Sequence, residues 1–227
     1  MLLKCVETEN CDTMELYSIK ESSLTLKHLP EMAKQRGYSV DIKPEDVTPG
    51  LDLPANWDDY LGLLSRKDRH ELRRKMRRLE TVANWTWYPV TAPEVVSSHM
   101  DDFFRLMGKS DPEKARFITP IRQQFFRNIA QRTAELGLLK LFFLELDGQK
   151  VATSLCFDYH TSRFLYNSGY DPEHSYYSVG LLLNALCLRD AIESGITYFD
   201  FLRGPEPYKY HLGGQDRTLY QMVVKRN

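Results

Sequence analysis

The feature that most constrains this chain is a hairpin that leads into a crossover. Two apolar-rich stretches, Leu138–Leu146 and Lys150–Tyr159, flank Asp147-Gly148. Asp-Gly suits a tight hairpin turn because both residues tolerate positive φ. A third strand pattern follows at Arg163–Tyr170, then an apolar helix over Ser178–Ser194 closed by Gly195, then a strand at Ile196–Phe201. A hairpin joins antiparallel strands, whereas a strand–helix–strand crossover joins parallel ones. The two together require a mixed sheet, and helices should cover it, giving an α/β domain of the α+β kind.

The flanking segments extend this order. Val82–Val90 reads as a strand, Pro93–Gly108 as a helix, and Pro120–Leu136 as a second helix stopped by Gly137. A turn with Pro205 and Pro207 precedes a last strand at Thr218–Val224. Upstream, Leu61, Leu64, Leu72, Met76 and Leu79 recur at helical spacing and predict one helix over Trp57–Glu80. Residues 1–60 are acidic; they offer a short strand at Glu15–Ile19 and a helix over 24–36, capped by Ser22 or Ser23 and ended by Gly37. The stretch with Pro44, Pro49, Gly50 and Pro54 reads as a linker. The expected division is residues 1–56 as an extension plus linker and 57–227 as the main domain, with the helix at 57–80 and the core at 82–227.

Several classes are set aside by composition. The 227 residues are enough to bury a core without metals or disulfides. A net charge of −1 speaks against a globally basic nucleic-acid binder. Cys5, Cys11, Cys156 and Cys187 form no C-x-x-C pair, the six histidines are scattered, and no metal is expected. Free thiols fit a reducing compartment. No apolar run reaches the ~20 residues of a membrane span. The opening Met-Leu-Leu-Lys-Cys runs straight into Glu7, Glu9 and Asp12, so a cytoplasmic location is expected.

Three stretches carry candidate chemistry. The first is Tyr170-Asp-Pro-Glu-His-Ser-Tyr-Tyr-Ser-Val-Gly180, where a strand ends and a helix begins. A helix start exposes unpaired N–H groups and the positive end of the dipole, a seat for a phosphate. Ser178 is the expected cap, and Gly180 would let a ligand approach closely; the same residues also describe an ordinary capped helix. The second stretch packs Asp200, Arg203, Glu206, Tyr208 and Lys209 into ten residues after a strand. Asp200 or Glu206 suits a general base, while Arg203 and Lys209 suit a phosphate or carboxylate; an internal ion-paired turn is the alternative. The third is Ser65–Glu80, with 8 Lys/Arg against 3 Asp/Glu. Such a run docks a phosphate-rich partner or is a solvated face.

The segment order from Val82 to Val224 resembles the GNAT acyltransferase fold, a mixed, mostly antiparallel twisted sheet flanked by helices. Ser65–Glu80 and Tyr198-Phe-Asp-Phe-Leu-Arg-Gly-Pro-Glu-Pro-Tyr-Lys209 are similar to its cellulose-biosynthesis-type (CelD-like) acetyltransferases. Tyr208-Lys-Tyr-His-Leu-Gly213 is similar to an element of the related Fem-type peptidyltransferases, which use aminoacyl-tRNA. The resemblance implies that Ser178, Val179, Gly180 and Leu181 hold the pyrophosphate of acetyl-CoA or another acyl-CoA. Tyr177 and Leu182 depart from the usual pattern there, which has Gln or Arg and then Gly or Ala. It further implies that the strand with Asn167, Ser168 and Gly169 pairs with the pantetheine arm, and that Lys209 binds a phosphate-bearing substrate. Family members usually carry an additional N-terminal half, of which residues 1–56 resemble only the end.

The expected activity is acyl transfer to an amine or hydroxyl. Asp200, Glu206 and Tyr208 are its candidate catalytic groups, Arg203, Lys209 and Tyr170 its candidate substrate contacts, and a small molecule or polysaccharide precursor its acceptor. A Fem-like aminoacyl transfer from tRNA and a non-catalytic module remain open beside it.

Overall fold

The computed structural model describes residues 11–226. Cys5, Glu7, Glu9 and the opening Met-Leu-Leu-Lys stretch lie outside the described residues. In chain order the strands are β1 (Thr13–Lys20), β2 (Tyr38–Val47), β3 (Gly50–Asp52), β4 (Trp85–Val90), β5 (Leu139–Leu146), β6 (Gln149–Tyr159), β7 (Ser162–Tyr170), β8 (Tyr198–Asp200) and β9 (Thr218–Arg226). The α-helices are α1 (Leu24–Lys34), α2 (Trp57–Leu63), α3 (Arg66–Leu79), α4 (Pro93–Ser110), α5 (Pro112–Phe117), α6 (Pro120–Glu135), α7 (Val179–Glu193) and α8 (Pro207–His211), with a 3₁₀ turn at Pro172–Tyr177. They form two compact units.

Of the described residues, the first unit holds those up to Pro49, Arg203–Glu206 and those from Gln215 onward. Its sheet has the order β1-β9-β2, with β9 antiparallel to both neighbours. Ile19, Leu29, Ala33, Tyr38, Met222 and Val224 form its core. Two expectations are corrected here. The stretch around Pro44 is strand rather than linker: β2 is an edge strand, where a residue without an N–H is tolerated, and the register slips between Pro44 and Asp46. The last strand belongs to this sheet and not to the one that holds the hairpin.

The second unit spans Gly50–Leu202 and Pro207–Gly214. Its six-stranded sheet has the order β3-β8-β7-β6-β5-β4. Every pairing is antiparallel except β7–β8. Asp147 and Gly148 take φ of 50° and 79°, the positive values the hairpin needs. Alternation along β5 splits the core. Phe142, Leu144 and Leu146 face a cluster containing residues of α2, α3 and α7, whereas Leu141 and Phe143 face one built with α4 and α6. Helix α7 buries Val179, Leu182, Leu183, Leu186 and Leu188. Each such side chain contributes about 1.5–3 kcal/mol, so α7 is anchored along its length.

The single helix expected over Trp57–Glu80 is two. Leu64 is extended (φ −70°, ψ 148°), and Ser65 caps α3 by accepting the Asp68 N–H at 3.1 Å. Asn56 caps α2 in the same way through the Asp59 N–H, at 2.9 Å. Helix α5 was not expected; Asp111 caps it and Pro112 occupies its first turn. Beneath α7, Arg163 is fully buried and bonds Asp158 through two nitrogens at 2.6 and 2.7 Å, Asp190 at 2.7 Å and the Cys187 carbonyl at 2.9 Å. Burial opposes its charge, yet the carboxylates prevail and hold the guanidinium firmly protonated.

Candidate active site

Strands β7 and β8 are parallel neighbours only over the three residues of β8. Their parallel ladder runs only from Ser162↔Tyr198 to Phe164↔Asp200. Beyond Phe164, the β8-facing edge of β7 has no strand partner among the described residues. A β-bulge interrupts the opposite ladder: Cys156 pairs with Leu165 and Leu155 with Asn167, so Tyr166 is an extra residue. Bulges re-aim the backbone beside sites. The Asp171 N–H donates to Val151 O at 2.8 Å. By antiparallel alternation, Gly169 also faces β6, and the backbone groups of Ser168 and Tyr170 face the open edge.

Helix α7 starts at the end of this edge. Its first internal bond runs from the Leu182 N–H to Ser178 O, at 3.0 Å. The amides of Val179, Gly180 and Leu181 are therefore its orphan donors. The Ser178 amide is not one of them, because it donates to Ser175 O at 2.9 Å. Nor does Ser178 cap the helix: its backbone is left-handed (φ 56°, ψ 36°) and its side chain makes no capping bond. Gly180 is explained by packing. A Cβ there would lie 2.9 Å from the Tyr170 ring, so the glycine is needed for this contact on its Cα side. Gly169 is crowded in the same way, by the backbone of α4 at Met107, 2.4 Å from a built Cβ.

The basic helix lies beside this helix start. Lys75 Nζ donates to Ser178 Oγ at 3.1 Å. Arg78 donates to Tyr176 O at 2.8 Å, with its guanidinium 4.5 Å from the centre of the Tyr176 ring. The first and third sequence signals thus meet in space, which was not legible because 103 residues separate Lys75 from Ser178. The one available hint was the i,i+3 spacing of Lys75 and Arg78 on a helix. A second group that sequence reasoning missed stands at the 3₁₀ turn. Asp171 is fully buried, accepts the Glu173 N–H and pairs with Lys109 at 2.7 Å. Burial pushes its carboxyl up, but the Lys109 and Glu173 hydrogen bonds outweigh this and hold it below the usual range. Next to it, His174 Nδ1 is buried with no hydrogen-bond partner among the described residues.

The polar loop after β8 divides between the two units. Asp200, Tyr208 and Lys209 belong to the second, Arg203 and Glu206 to the first. Asp200 is fully buried, and its Oδ1 accepts the Leu202 N–H at 2.9 Å. Leu202 has φ 57°. Lys209 is 1% exposed and donates to Leu202 O at 2.8 Å. Both charged groups therefore brace one turn. Arg203 is neutralised by Asp46 at 2.6 Å and Glu45 at 2.9 Å. Tyr208 packs edge-on to Phe201 at 6.2 Å. Glu206 is exposed. Among the described residues, no group of three or more His, Cys, Asp or Glu is arranged to hold a metal, and no helix is long and apolar enough to cross a membrane.

Solved structures with this architecture include FemX (TM-score 0.69, 12% identity, 97% of this chain and 74% of that one). A conserved protein of unknown function from Bacteroides thetaiotaomicron is similar (TM-score 0.67, 13% identity, 99% and 74%). So is L-PGS from Bacillus licheniformis (TM-score 0.64, 13% identity, 99% and 70%). At these identities the likeness is one of fold. No curated protein matches the sequence. The acetyltransferase (GNAT) domain model matches residues 66–210, from the first residue of α3 to α8. With the open β7 edge and the bare start of α7 in place, the chain belongs to the acetyltransferase (GNAT) domain family.

Proposed function

We propose that this chain moves an acyl group from an acyl-CoA, acetyl-CoA being the simplest, to an amine or hydroxyl of a small molecule or polysaccharide precursor, as in the cellulose-biosynthesis-type subgroup. The observation that carries the reading is the set of orphan amides at Val179, Gly180 and Leu181, with Lys75 at the adjoining Ser178, at the end of the β7 edge that no described strand covers. A diphosphate is matched by first-turn amides and a nearby ammonium. The carrier's arm then runs along β7 towards the bulge at Tyr166. A backbone N–H of this edge polarises the thioester carbonyl. The acceptor's lone pair attacks that carbon, the tetrahedral intermediate expels the thiolate, and the acceptor's proton leaves to a base. Tyr208 supplies a proton to the thiolate, and Asp200 and Lys209 brace the turn at Leu202 that precedes it.

A second reading, transfer from an aminoacyl ester on RNA, is favoured by the exposed cations of α3 and by the fold shared with FemX. Native mass spectrometry of the chain against acetyl-CoA, longer acyl-CoAs and charged tRNA separates the two. A CoA adduct supports the first reading. A tRNA adduct that weakens steeply with salt, with no CoA adduct, replaces it with the second.

A further inference from the structure

The open edge of β7 is blocked by the chain itself. Ser168 N–H and C=O face away from β6, where a carrier's amides would pair with them. The N–H donates instead to Asn167 Oδ1 at 2.9 Å. The C=O accepts from Lys114 Nζ at 2.6 Å, across 54 residues. Lys114 stands on α5, a helix of 6 residues between α4 and α6. A charged donor to a carbonyl is among the stronger hydrogen bonds of a folded chain.

We propose that Lys114 and Asn167 form a plug at the carrier edge, making Lys114 a specificity-determining residue. The inference rests on the acyl-CoA reading and deepens it. A pantetheine arm pairs with Ser168 only after Lys114 Nζ leaves the carbonyl and Asn167 Oδ1 leaves the amide. No covalent bond changes: two internal hydrogen bonds are exchanged for two to the arm, and the Lys114 ammonium passes to solvent. Tyr170 offers the next outward-facing pair of backbone groups on the same edge. A donor without such an arm, an aminoacyl ester for example, makes no use of Ser168 and leaves the plug in place.

The test is CoA affinity by calorimetry for the wild type, Lys114→Met and Asn167→Ala, with hydrogen exchange of residues 112–117 and Ser168 read on the wild type. Lys114→Met keeps the apolar stem and removes the bond. Its CoA dissociation constant should fall about tenfold, the yield of one charged hydrogen bond no longer broken. Asn167→Ala, which frees only the neutral amide bond, should tighten binding about threefold, and it serves if Lys114→Met does not fold. In the wild type, CoA should speed exchange across 112–117. If the wild type binds CoA but neither variant binds more tightly, the plug is refuted and the acyl-CoA reading stands. If no form binds CoA, both fall.

Discussion

Gly169→Ala is the most demanding perturbation this structure offers. A Cβ at 169 would sit 2.4 Å from Met107 Cα and N and 2.5 Å from Leu106 C. All three are backbone atoms of α4, so no rotamer change relieves the overlap. Ordinary contact begins about 1 Å further out, so α4 or β7 must shift by about that much within a close-packed layer. Overpacking of this kind costs about 1–3 kcal/mol or more, and here the upper end applies because a helix must move. Alanine's smaller unfolded-state entropy returns about 0.4–1 kcal/mol. The net loss, about 2–3 kcal/mol, lowers Tm by about 4–12 °C for a chain of this size. The assay is thermal unfolding followed by near-ultraviolet circular dichroism. Gly62→Ala is the control, because nothing lies within 4 Å of its Cβ on α2, and it should be neutral or stabilising by up to about 1 kcal/mol. If Gly169→Ala melts within about 2 °C of wild type, a change of no more than about 1 kcal/mol, and has lost CoA binding, the glycine serves the carrier and the packing argument is refuted.

Further outcomes follow from the same geometry. Lys75→Met should weaken CoA binding about five- to tenfold, with less effect at high salt, because an ammonium near a diphosphate is screened by ions; equal affinity across a salt titration would contradict its placement. Arg163→Ala should destabilise by about 3–5 kcal/mol, since it strands Asp158 and Asp190 beneath α7, and a denaturant series measures this. Asp171 has a folded pKa below its unfolded one. Its contribution is therefore complete above the unfolded value of about 3.9 and fades as pH falls through the folded value. Asp171→Asn should flatten that part of the acid limb. The effect should be about 1 kcal/mol, because Lys109 is 41% exposed and solvent screens the pair.

Local chemistry alone settled the hairpin at Asp147-Gly148, the crossover through α7 and the presence of helices α4 and α6, because each is written in turn residues or periodicity over short spans. Caps are as local: Asn56 and Ser65 divide what the leucine spacing presents as one helix. Pro44 disguises β2, since a proline breaks a central strand yet is harmless at an edge, and only the pairing partner β9 reveals which case applies.

For the candidate site, the helix start at Gly180 was visible as a strand-to-helix junction, and the basic run of α3 as a charge pattern. Their meeting through Lys75 and Ser178 depends on how α3 packs against α7, which no short window encodes. The same holds for Gly169 and Gly180. As letters they mark places where backbone comes close to something. What comes close, the α4 backbone in one case and the Tyr170 ring in the other, is decided by which elements share a face of the sheet. The ionisable loop after β8 was found from its residue types. The division of labour within it was not, because burial and partner decide whether a charge is spent on a turn, as at Asp200 and Lys209, or left exposed, as at Glu206. Periodicity and turn chemistry act over a few residues and so are carried by the chain itself; carbonyls capped from 54 residues away, as Ser168 is by Lys114, exist only once the sheet has closed.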